Sequence, residues 1–357
     1  MHVSSLLAWN FRSFDEINLS FPKGMVLIQG DNGAGKTNLL ESLCYALTGK
    51  SFRTRHDGDL LAFEKDFFRA EAIFLKDGLK KKIEIACEPK NKKSISINGK
   101  ECSKSSQLFF ETFIVIFSPS SSMLLKGGPG IRRHFFDRIN LKINPEYSLI
   151  LSKYNQTLRS RNTLLKNSFS KHFDHQLYSI LTQELLRYSK LMQKERNLML
   201  EKFNAQLDEM KKLCPLPGIE AVEWKYFPFN QKLNHSSHQL FNIESKKGVS
   251  MIGAHLDQIE VYCNQKSAKD YASEGEIKMM SIFTKLCEFQ TIEKYSRVTP
   301  IMVMDDLSSE LDEKNILRVL GFLSNKTQVF LSSLQPLPAK MDFTLSLEKG
   351  KSAICNH

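Results

Sequence analysis

The spacing of hydrophobic residues divides the chain into a strand-rich beginning, a helical middle and a mixed end. Apolar runs predict buried strands at Met25–Gln29 and Ile114–Phe117, with further strand-like segments between them. From Asp174 to Leu213, apolar residues recur at helical spacing, which predicts one helix about 60 Å long at 1.5 Å per residue. A helix packed within its own lobe and a coiled-coil seam both fit this stripe, and we favour the packed helix.

The end of the chain returns to alternating strands and helices. Residues 219–247 are weakly patterned and predict loops with one strand at most. Beyond them, apolar segments predict strands at Ile301–Met304 and Thr327–Leu331, and helices at Met280–Thr291 and Lys314–Leu323. This alternation is typical of an α/β fold.

Composition narrows the class of protein. The 357 residues carry a net charge of +11, which favours a polyanionic partner such as nucleic acid. Seven scattered cysteines contain no Cys-x-x-Cys pair, which argues against a disulfide framework or a zinc site. No signal-peptide pattern and no run of about 18 apolar residues occurs, so we expect a cytoplasmic protein without a membrane anchor.

The segment GDNGAGKT, residues 30–37, is a complete phosphate-binding loop (P-loop) between a predicted strand and a predicted helix. Glycines let backbone N–H groups face the phosphates of ATP, and the following helix directs its positive N-terminus toward them. We expect Lys36 to reach the β- and γ-phosphates as a catalytic residue, and the Thr37 hydroxyl to ligate Mg²⁺. The predicted ATP contacts are Gly30, Asp31, Asn32, Gly33, Ala34, Gly35, Lys36, Thr37 and Asn38.

A second motif, consisting of two aspartates, follows the predicted strand Ile301–Met304. Asp305 is the expected Mg²⁺ ligand, since a P-loop site needs a carboxylate from the end of a neighbouring buried strand. Asp306 lies where a carboxylate could polarise the attacking water, and it is the candidate general base. The alternative is that one of the two aspartates only caps a turn.

Further motifs follow one another along the chain. A signature-like segment, Ser273–Glu276, precedes Asp305, and an Asp-loop-like segment, Ser308–Asp312, follows it. This order resembles the ABC-type ATPases. More segments occur in order over nearly the whole chain: WNFRSF (residues 9–14), GDNGAGKTNLLES (30–42), GKSFRT (49–54), FSPSSSMLLKGGPGIRRHFFD (117–137), LRSRNTLLK (158–166), GAHLD (253–257), YASEGE (271–276) and MDDLSSELD (304–312). Together they resemble the RecF family among these ATPases.

This resemblance implies an SMC-type P-loop ATPase head of mixed sheets and flanking helices, with a mainly helical second lobe. The head would comprise residues 1–118 and 248–357, and lobe II residues 119–247. It also implies an ATP- and Mg²⁺-dependent homodimer on duplex, gapped or junction DNA, acting in repair, replication, recombination and the SOS response with RecO- and RecR-type partners. Ser273 and Gly275 would contact the ATP of the second copy, and Ser309 and Asp312 would form the Asp-loop.

The signature departs from the family's usual Ser-Gln-Gly-Gln, because Glu274 and Glu276 replace both glutamines. Two carboxylates beside a triphosphate should weaken dimer closure unless Lys278 offsets them. The usual Gly-Pro-His-Arg-Asp-Asp is also altered at residues 253–258, and Ser332 and Ser333 stand where a switch histidine would follow the last strand. A slow, DNA-dependent ATPase fits these features. A non-hydrolysing ATP-binding DNA module and an ABC transporter subunit are the alternatives.

Several residues have two interpretations. By resemblance to SMC heads Arg12 could contact a phosphate, or it could be a surface arginine. His255 could be catalytic, but a structural histidine is the favoured interpretation. Arg132 and Arg133 could bind phosphate or an acidic partner. A lysine-rich predicted hairpin could bind DNA or form a solvated face; its candidate DNA contacts are Lys80, Lys81, Lys82, Lys92 and Lys93.

Overall fold

The computed structural model describes residues 1–88, 92–102, 106–168, 173–215, 222–229, 237–348 and 354–356. The chain forms two compact units. Unit 1 comprises Met1–Ser122, Glu209–Gly218 and Glu274–His357, and unit 2 comprises Met123–Asp208 and Ile219–Ser273. The predicted head is therefore assembled from both ends of the chain.

Unit 1 contains an antiparallel sheet in the order β2-β1-β4-β5-β6-β7. Its strands are β1 (His2–Phe11), β2 (Phe14–Ser20), β4 (Phe68–Lys76), β5 (Leu79–Glu88), β6 (Lys92–Ile97) and β7 (Lys100–Glu101). Alternate residues of β4 and β5 are buried, as expected of a sheet with one face on the core.

The second sheet of unit 1 is mainly parallel, in the order β15-β14-β3-β13-β12-β8. Its strands are β3 (Met25–Gly30), β8 (Ile114–Phe117), β12 (Ile301–Met304), β13 (Val329–Ser333), β14 (Phe343–Leu347) and β15 (Ile354–Asn356). Every residue of β12 is buried, which explains its uninterrupted apolar sequence. Strand β13 lies between β3 and β12, and it is parallel to both.

The helices of unit 1 flank these sheets. They are α1 (Lys36–Thr48), α2 (Ser106–Glu111), α9 (Glu274–Ser296), α10 (Leu307–Glu310) and α11 (Glu313–Leu323). Helix α1 packs against strands of both sheets, and its residues 39–47 are all buried. One hydrophobic core joins α1 to both sheets, so the start of α1 is held in a fixed position at the end of β3.

Unit 2 is mainly helical and includes a small antiparallel sheet in the order β11-β10-β9. Its helices are α3 (Met123–Lys126), α4 (Pro129–Ile143), α5 (Tyr147–Lys166), α6 (His175–Leu213, whose last turn belongs to unit 1), α7 (Ser237–Lys247) and α8 (Ala268–Tyr271). Its strands are β9 (Val222–Phe227), β10 (Gln258–Cys263) and β11 (Lys266–Ser267). Phe136, Phe203 and Trp224 meet edge to face in its core.

The long helix confirms the prediction from periodicity, and Met192, Met199 and Phe203 of its stripe are buried within unit 2 itself. The second predicted lobe boundary, after residue 247, differs from the unit boundary after Ser273. The reason is that β10 pairs with β9 and packs against α4, which keeps these residues with unit 2. Helix α7 was not predicted, because its short polar segment has only a weak apolar stripe. In the part of the chain described here, no helix is both long and apolar enough to cross a membrane.

Buried ion pairs connect the helices of unit 2 to its loops. Arg196 of α6 donates to both carboxylate oxygens of Asp137 and to Asp257, at 2.7 to 2.9 Å. Tyr226 donates to the same Asp257 at 2.6 Å. Because these carboxylates are buried, they depend on Arg196 for their counter-charge.

We predict that Arg196→Met destabilises unit 2 by about 3 to 5 kcal/mol, since it leaves two buried carboxylates without their cation. Urea unfolding followed by the fluorescence of buried Trp224, in a Trp9→Phe background, measures this change. Arg187→Met is the control, because Arg187 lies on the same helix with a 62% exposed side chain; it should shift stability by no more than about 0.5 kcal/mol. An Arg196→Met protein that unfolds at the control's urea midpoint would contradict the prediction.

Candidate nucleotide-binding site

The P-loop connects the end of β3 to the start of α1. Gly33 and Gly35 have φ values of 81° and 102°, in the left-handed region that favours glycine. A Cβ on Gly35 would also lie 2.8 Å from the ring of Phe14. The motif therefore needs glycine at residue 35 for two reasons, backbone conformation and space.

Lys36, the first residue of α1, lies along this loop. Its Nζ donates to the carbonyl oxygens of Gly30 at 2.7 Å and Asp31 at 2.9 Å. The loop, Lys36 and the strand ends beside it form one pocket in unit 1. The pocket is lined by Asn32, Gly33, Gly35, Lys36, Thr37, Asn38, Arg53, Asp306 and Ser332. A helix N-terminus and two cationic side chains make this pocket suited to an anion.

The two predicted Mg²⁺ ligands meet although they are 268 residues apart in the sequence. Thr37 Oγ1 donates to Asp305 Oδ1 at 3.0 Å. Burial raises the pKa of Asp305, while hydrogen bonds from Ser332 and Thr37 oppose that rise. A hydroxyl and a carboxylate beside this pocket are oxygen ligands that suit Mg²⁺.

Ser332 joins the two aspartates of the acidic motif. Its Oγ donates to Asp305 Oδ1 at 2.8 Å and accepts from the backbone N–H of Asp306 at 2.8 Å. Asp306 has a φ of 58°, an uncommon conformation for a residue other than glycine. This contact directs Asp306 toward the pocket that it lines. In the sequence, Ser332 indicates only that a switch histidine is missing at this place.

Arg12, Glu41 and Arg53 form a charged cluster beside the pocket. Arg12 donates to the buried Glu41 through Nε and Nη2, at 2.9 and 3.0 Å. Arg53 reaches the same carboxylate at 3.3 Å and also lines the pocket. Arg12 thus forms an ion pair with Glu41. Neither Glu41 nor Arg53 was predicted as a site residue. Arg53 lies in the GKSFRT segment and Glu41 in the GDNGAGKTNLLES segment, and these two segments were their only signals.

The signature-like segment lies at the start of α9. Glu274 and Glu276 occupy the first turn, where negative charge stabilises the positive helix end. Lys278 donates to the carbonyl oxygen of Ser309 at 3.4 Å and pairs with Glu310 at 3.5 Å, which links α9 to the Asp-loop-like segment.

Three further residues of the predicted dimer-interface site lie on or near α9, α10 and α11: Gly275, Ser309 and Asp312. A Cβ at Gly275 would have open space around it, so a side chain would fit at this position. Asp312 caps α11, because its Oδ1 accepts from the backbone N–H of Asn315 at 2.8 Å. Ser309 donates to the carbonyl oxygen of Asp306 at 3.0 Å, so the Asp-loop-like segment begins at the acidic motif itself.

His255, Arg132 and Arg133 lie in unit 2. His255 Nδ1 is 2.7 Å from the Tyr154 hydroxyl and Nε2 is 3.0 Å from the Ser250 carbonyl oxygen, and burial lowers the pKa of its imidazole. Arg132 and Arg133 donate to backbone carbonyl oxygens, including those of residues 127 and 257. These contacts favour structural roles for all three residues.

The candidate DNA-binding lysines do not share one face. Alternation along β5 puts Lys80 and Lys82 on the open face of the sheet, and Lys81 on the core side, where it pairs with Glu111. Lys93 of β6 also lies on the core side, where its Nζ is 3.0 Å from Asp57. The backbone of Lys92 belongs to β6, and its side chain lies outside the described set. The described side chains are thus divided between two faces of the sheet, and DNA contact by these lysines stays a prediction.

Comparison with known proteins identifies the family. The chain matches the model of the RecF/RecN/SMC N-terminal domain over residues 2–348. It is 31% identical over 333 residues to the DNA replication and repair protein RecF of Clostridium acetobutylicum, covering 90% of each chain. It is 30% identical over 371 aligned positions to RecF of Listeria welshimeri, covering 98% of this chain and 99% of that one.

Solved structures agree with the sequence relatives. A structure of RecF with ATP, described as a recombination mediator of the RecFOR pathway, matches with a TM-score of 0.87 and 26% identity over 100% of this chain and 97% of that one. An Smc head domain from Pyrococcus furiosus matches with a TM-score of 0.59 and 17% identity, over 100% and 96%. The fold is thus the ABC/SMC-type ATPase head with a second, mainly helical unit, and the chain belongs to the RecF family of DNA replication and repair proteins.

Proposed function

We propose that this protein is an ATPase of DNA replication and repair that binds MgATP at the P-loop pocket and closes as a homodimer on DNA. The hydrogen bond between Thr37 and Asp305 supports this proposal most directly, because it unites the two metal-site motifs at one pocket. A relative of known structure is an ATP complex of RecF, which supports ATP as the nucleotide. Membership of the RecF family leaves the transporter-subunit alternative without support.

Different residues of the pocket would contact the phosphates and the Mg²⁺ ion. The P-loop amides from residue 30 to residue 38 and the Lys36 ammonium would contact the phosphates. Thr37 and Asp305 would hold Mg²⁺, which supplies charge neutralisation on the transferred phosphoryl group when bound. Arg53 adds positive charge to the lining of the same pocket, and Arg12 shares its partner Glu41 beside the pocket.

Asp306 is the proposed general base. Its carboxylate would accept a proton from the attacking water, while Ser332 fixes its backbone through the N–H. A slow rate fits the absence of a histidine at Ser332 and Ser333. The non-hydrolysing alternative would instead leave Asp306 with a purely structural role as the N-cap residue that precedes α10.

Dimer closure would bring Ser273 and Gly275 of one copy to the ATP of the other, with Ser309 and Asp312 near the same interface. The link from Lys278 to Ser309 and Glu310 supports this arrangement, because it joins the helix that follows the signature to the Asp-loop within one subunit. Movement of one segment would then displace the other.

For DNA, we propose phosphate contacts without base specificity, and DNA-dependent hydrolysis. The net charge of +11 supports this proposal. On the open face of β4 and β5, positive charge is partly offset by ion pairs, such as that of Lys82 with Glu71. We propose that Lys80 and Lys82, which lie on the open face of the sheet, contact DNA phosphates. Mediators of the RecO and RecR type are proposed partners by family membership.

We predict that Asp306→Asn traps an ATP-bound dimer, since the phosphate and metal contacts persist while water activation is lost. Size-exclusion chromatography with light scattering, in ATP and Mg²⁺, should show more dimer than the wild type. Lys36→Ala is the matched control; it removes a phosphate contact and should stay monomeric at the same ATP concentration. Less dimer in Asp306→Asn than in the wild type would assign Asp306 a structural role.

We also predict that replacing Glu274 and Glu276 together by glutamine strengthens ATP-dependent dimerisation, because two negative charges near the partner's triphosphate are removed. The same change should lower thermal stability slightly, since first-turn carboxylates contribute about 0.3 to 1 kcal/mol each to a helix. Dimerisation is measured by analytical ultracentrifugation across protein concentrations with ATP.

The control pair is Glu184→Gln with Glu201→Gln, which removes the same charge from α6 in unit 2, where Glu184 is partly exposed and Glu201 is exposed. It should leave dimerisation unchanged. If the signature double variant dimerises no better than the control pair, the two glutamates do not oppose closure.

A further inference from the structure

The carboxylate of Glu41 is buried directly behind the phosphate pocket. Glu41 lies on α1, one turn after Asn38 of the pocket lining, and its side chain is 0% exposed. An ionised carboxylate in a protein interior is costly unless cations and hydrogen-bond donors surround it. Its partners therefore indicate what this buried charge is for.

Those partners come from two separate loops. Arg12, in the turn between β1 and β2, makes a bidentate contact with the Glu41 carboxylate at 2.9 and 3.0 Å. Arg53 and Ser51, in the segment after α1, reach it at 3.3 and 2.5 Å. One carboxylate thus fixes both loops to the P-loop helix.

The two arginines differ in what else they contact. Nη1 of Arg12 donates to the carbonyl oxygen of Asp59 at 2.5 Å, so its guanidinium is bound by protein on several sides. For Arg53, both side-chain hydrogen bonds within the described residues use Nη1, to Glu41 and to Asn38. Arg53 is 44% exposed and lines the phosphate pocket. It has the freedom to contact a ligand that Arg12 lacks.

Charge supports the same conclusion. Without Glu41, the guanidinium groups of Arg12 and Arg53 would repel each other across the space that the carboxylate now occupies. With it, the cluster retains one net positive charge, and the solvent-facing part of that charge lies on Arg53. Because the Arg53 side chain is already held in place, binding of an anion costs less of its conformational entropy.

We propose that Glu41 is a positioning residue of the ATP site, which holds Arg53 at the rim of the pocket so that a bound triphosphate meets a fixed cation. This inference rests on the proposed binding of ATP at the P-loop. It assigns Glu41 an effect on nucleotide affinity that acts through Arg53, in addition to any effect on folding.

The test is a double-mutant cycle on the affinity for a fluorescent ATP analogue with Mg²⁺. Glu41→Gln keeps the size of the side chain and removes its charge, and we expect the dissociation constant to rise about tenfold, as for loss of a charge-assisted hydrogen bond. Arg53→Gln should have a similar effect. The double variant should bind about as well as either single variant, because both changes remove the same contact.

Glu244→Gln is the matched control for burial. Glu244 is also 0% exposed and pairs with a buried arginine, Arg161, but it lies in unit 2. It should lower the melting temperature without changing ATP affinity. If Glu41→Gln does not fold, Glu41→Asp replaces it in the cycle, since aspartate keeps the charge and shortens its reach.

Two results would overturn the proposal: wild-type ATP affinity in the Glu41 variant, or independent, additive effects of the Glu41 and Arg53 variants. Lys36→Ala separates this failure from failure of the proposed function. If Lys36→Ala loses ATP binding and Glu41→Gln does not, only the role of Glu41 is wrong. If Lys36→Ala also binds ATP normally, the P-loop pocket is not the ATP site and both proposals fail.

Discussion

The parallel register of three neighbouring strands is the constraint on which the site depends. Strands β3, β13 and β12 end at the same edge of one sheet, and each ends in a different part of the pocket. The P-loop follows β3, Ser332 is near the end of β13, and Asp305 follows β12. A shift of one residue in this register would separate Thr37 from Asp305 and direct Ser332 to the other face of the sheet.

Local motifs could be predicted from the sequence because their chemistry is contained in consecutive residues. The P-loop and the Asp305–Asp306 pair lie next to apolar strands, so their type and place could both be inferred. Ser332 could not be assigned a role, because its partners are 26 and 27 residues away and meet it only through strand pairing. Glu41 looked like an ordinary helical residue for the same reason.

The lysine-rich hairpin shows that the number of lysines in a segment does not indicate how many of them share one face. Period-two alternation sends neighbouring lysines to opposite faces, and Lys81 and Lys93 then pair with acidic residues on the core side. The arginines of the two units also differ in their surroundings. Arg196 and Arg161 of unit 2 are buried among protein partners, whereas Arg53 of unit 1 remains partly open to a pocket. Exposure toward a pocket, more than the presence of an ion pair, distinguishes the cluster that we propose to act on nucleotide binding.

The most direct test of an ATP-driven dimer on DNA is the hydrolysis rate per molecule, measured over a range of protein concentrations with and without gapped duplex DNA. We expect this rate to rise with protein concentration, because two copies must meet around ATP, and to rise further when DNA brings the copies together. A rate per molecule that is constant across concentrations and unaffected by gapped DNA would contradict ATP-driven dimerisation on DNA.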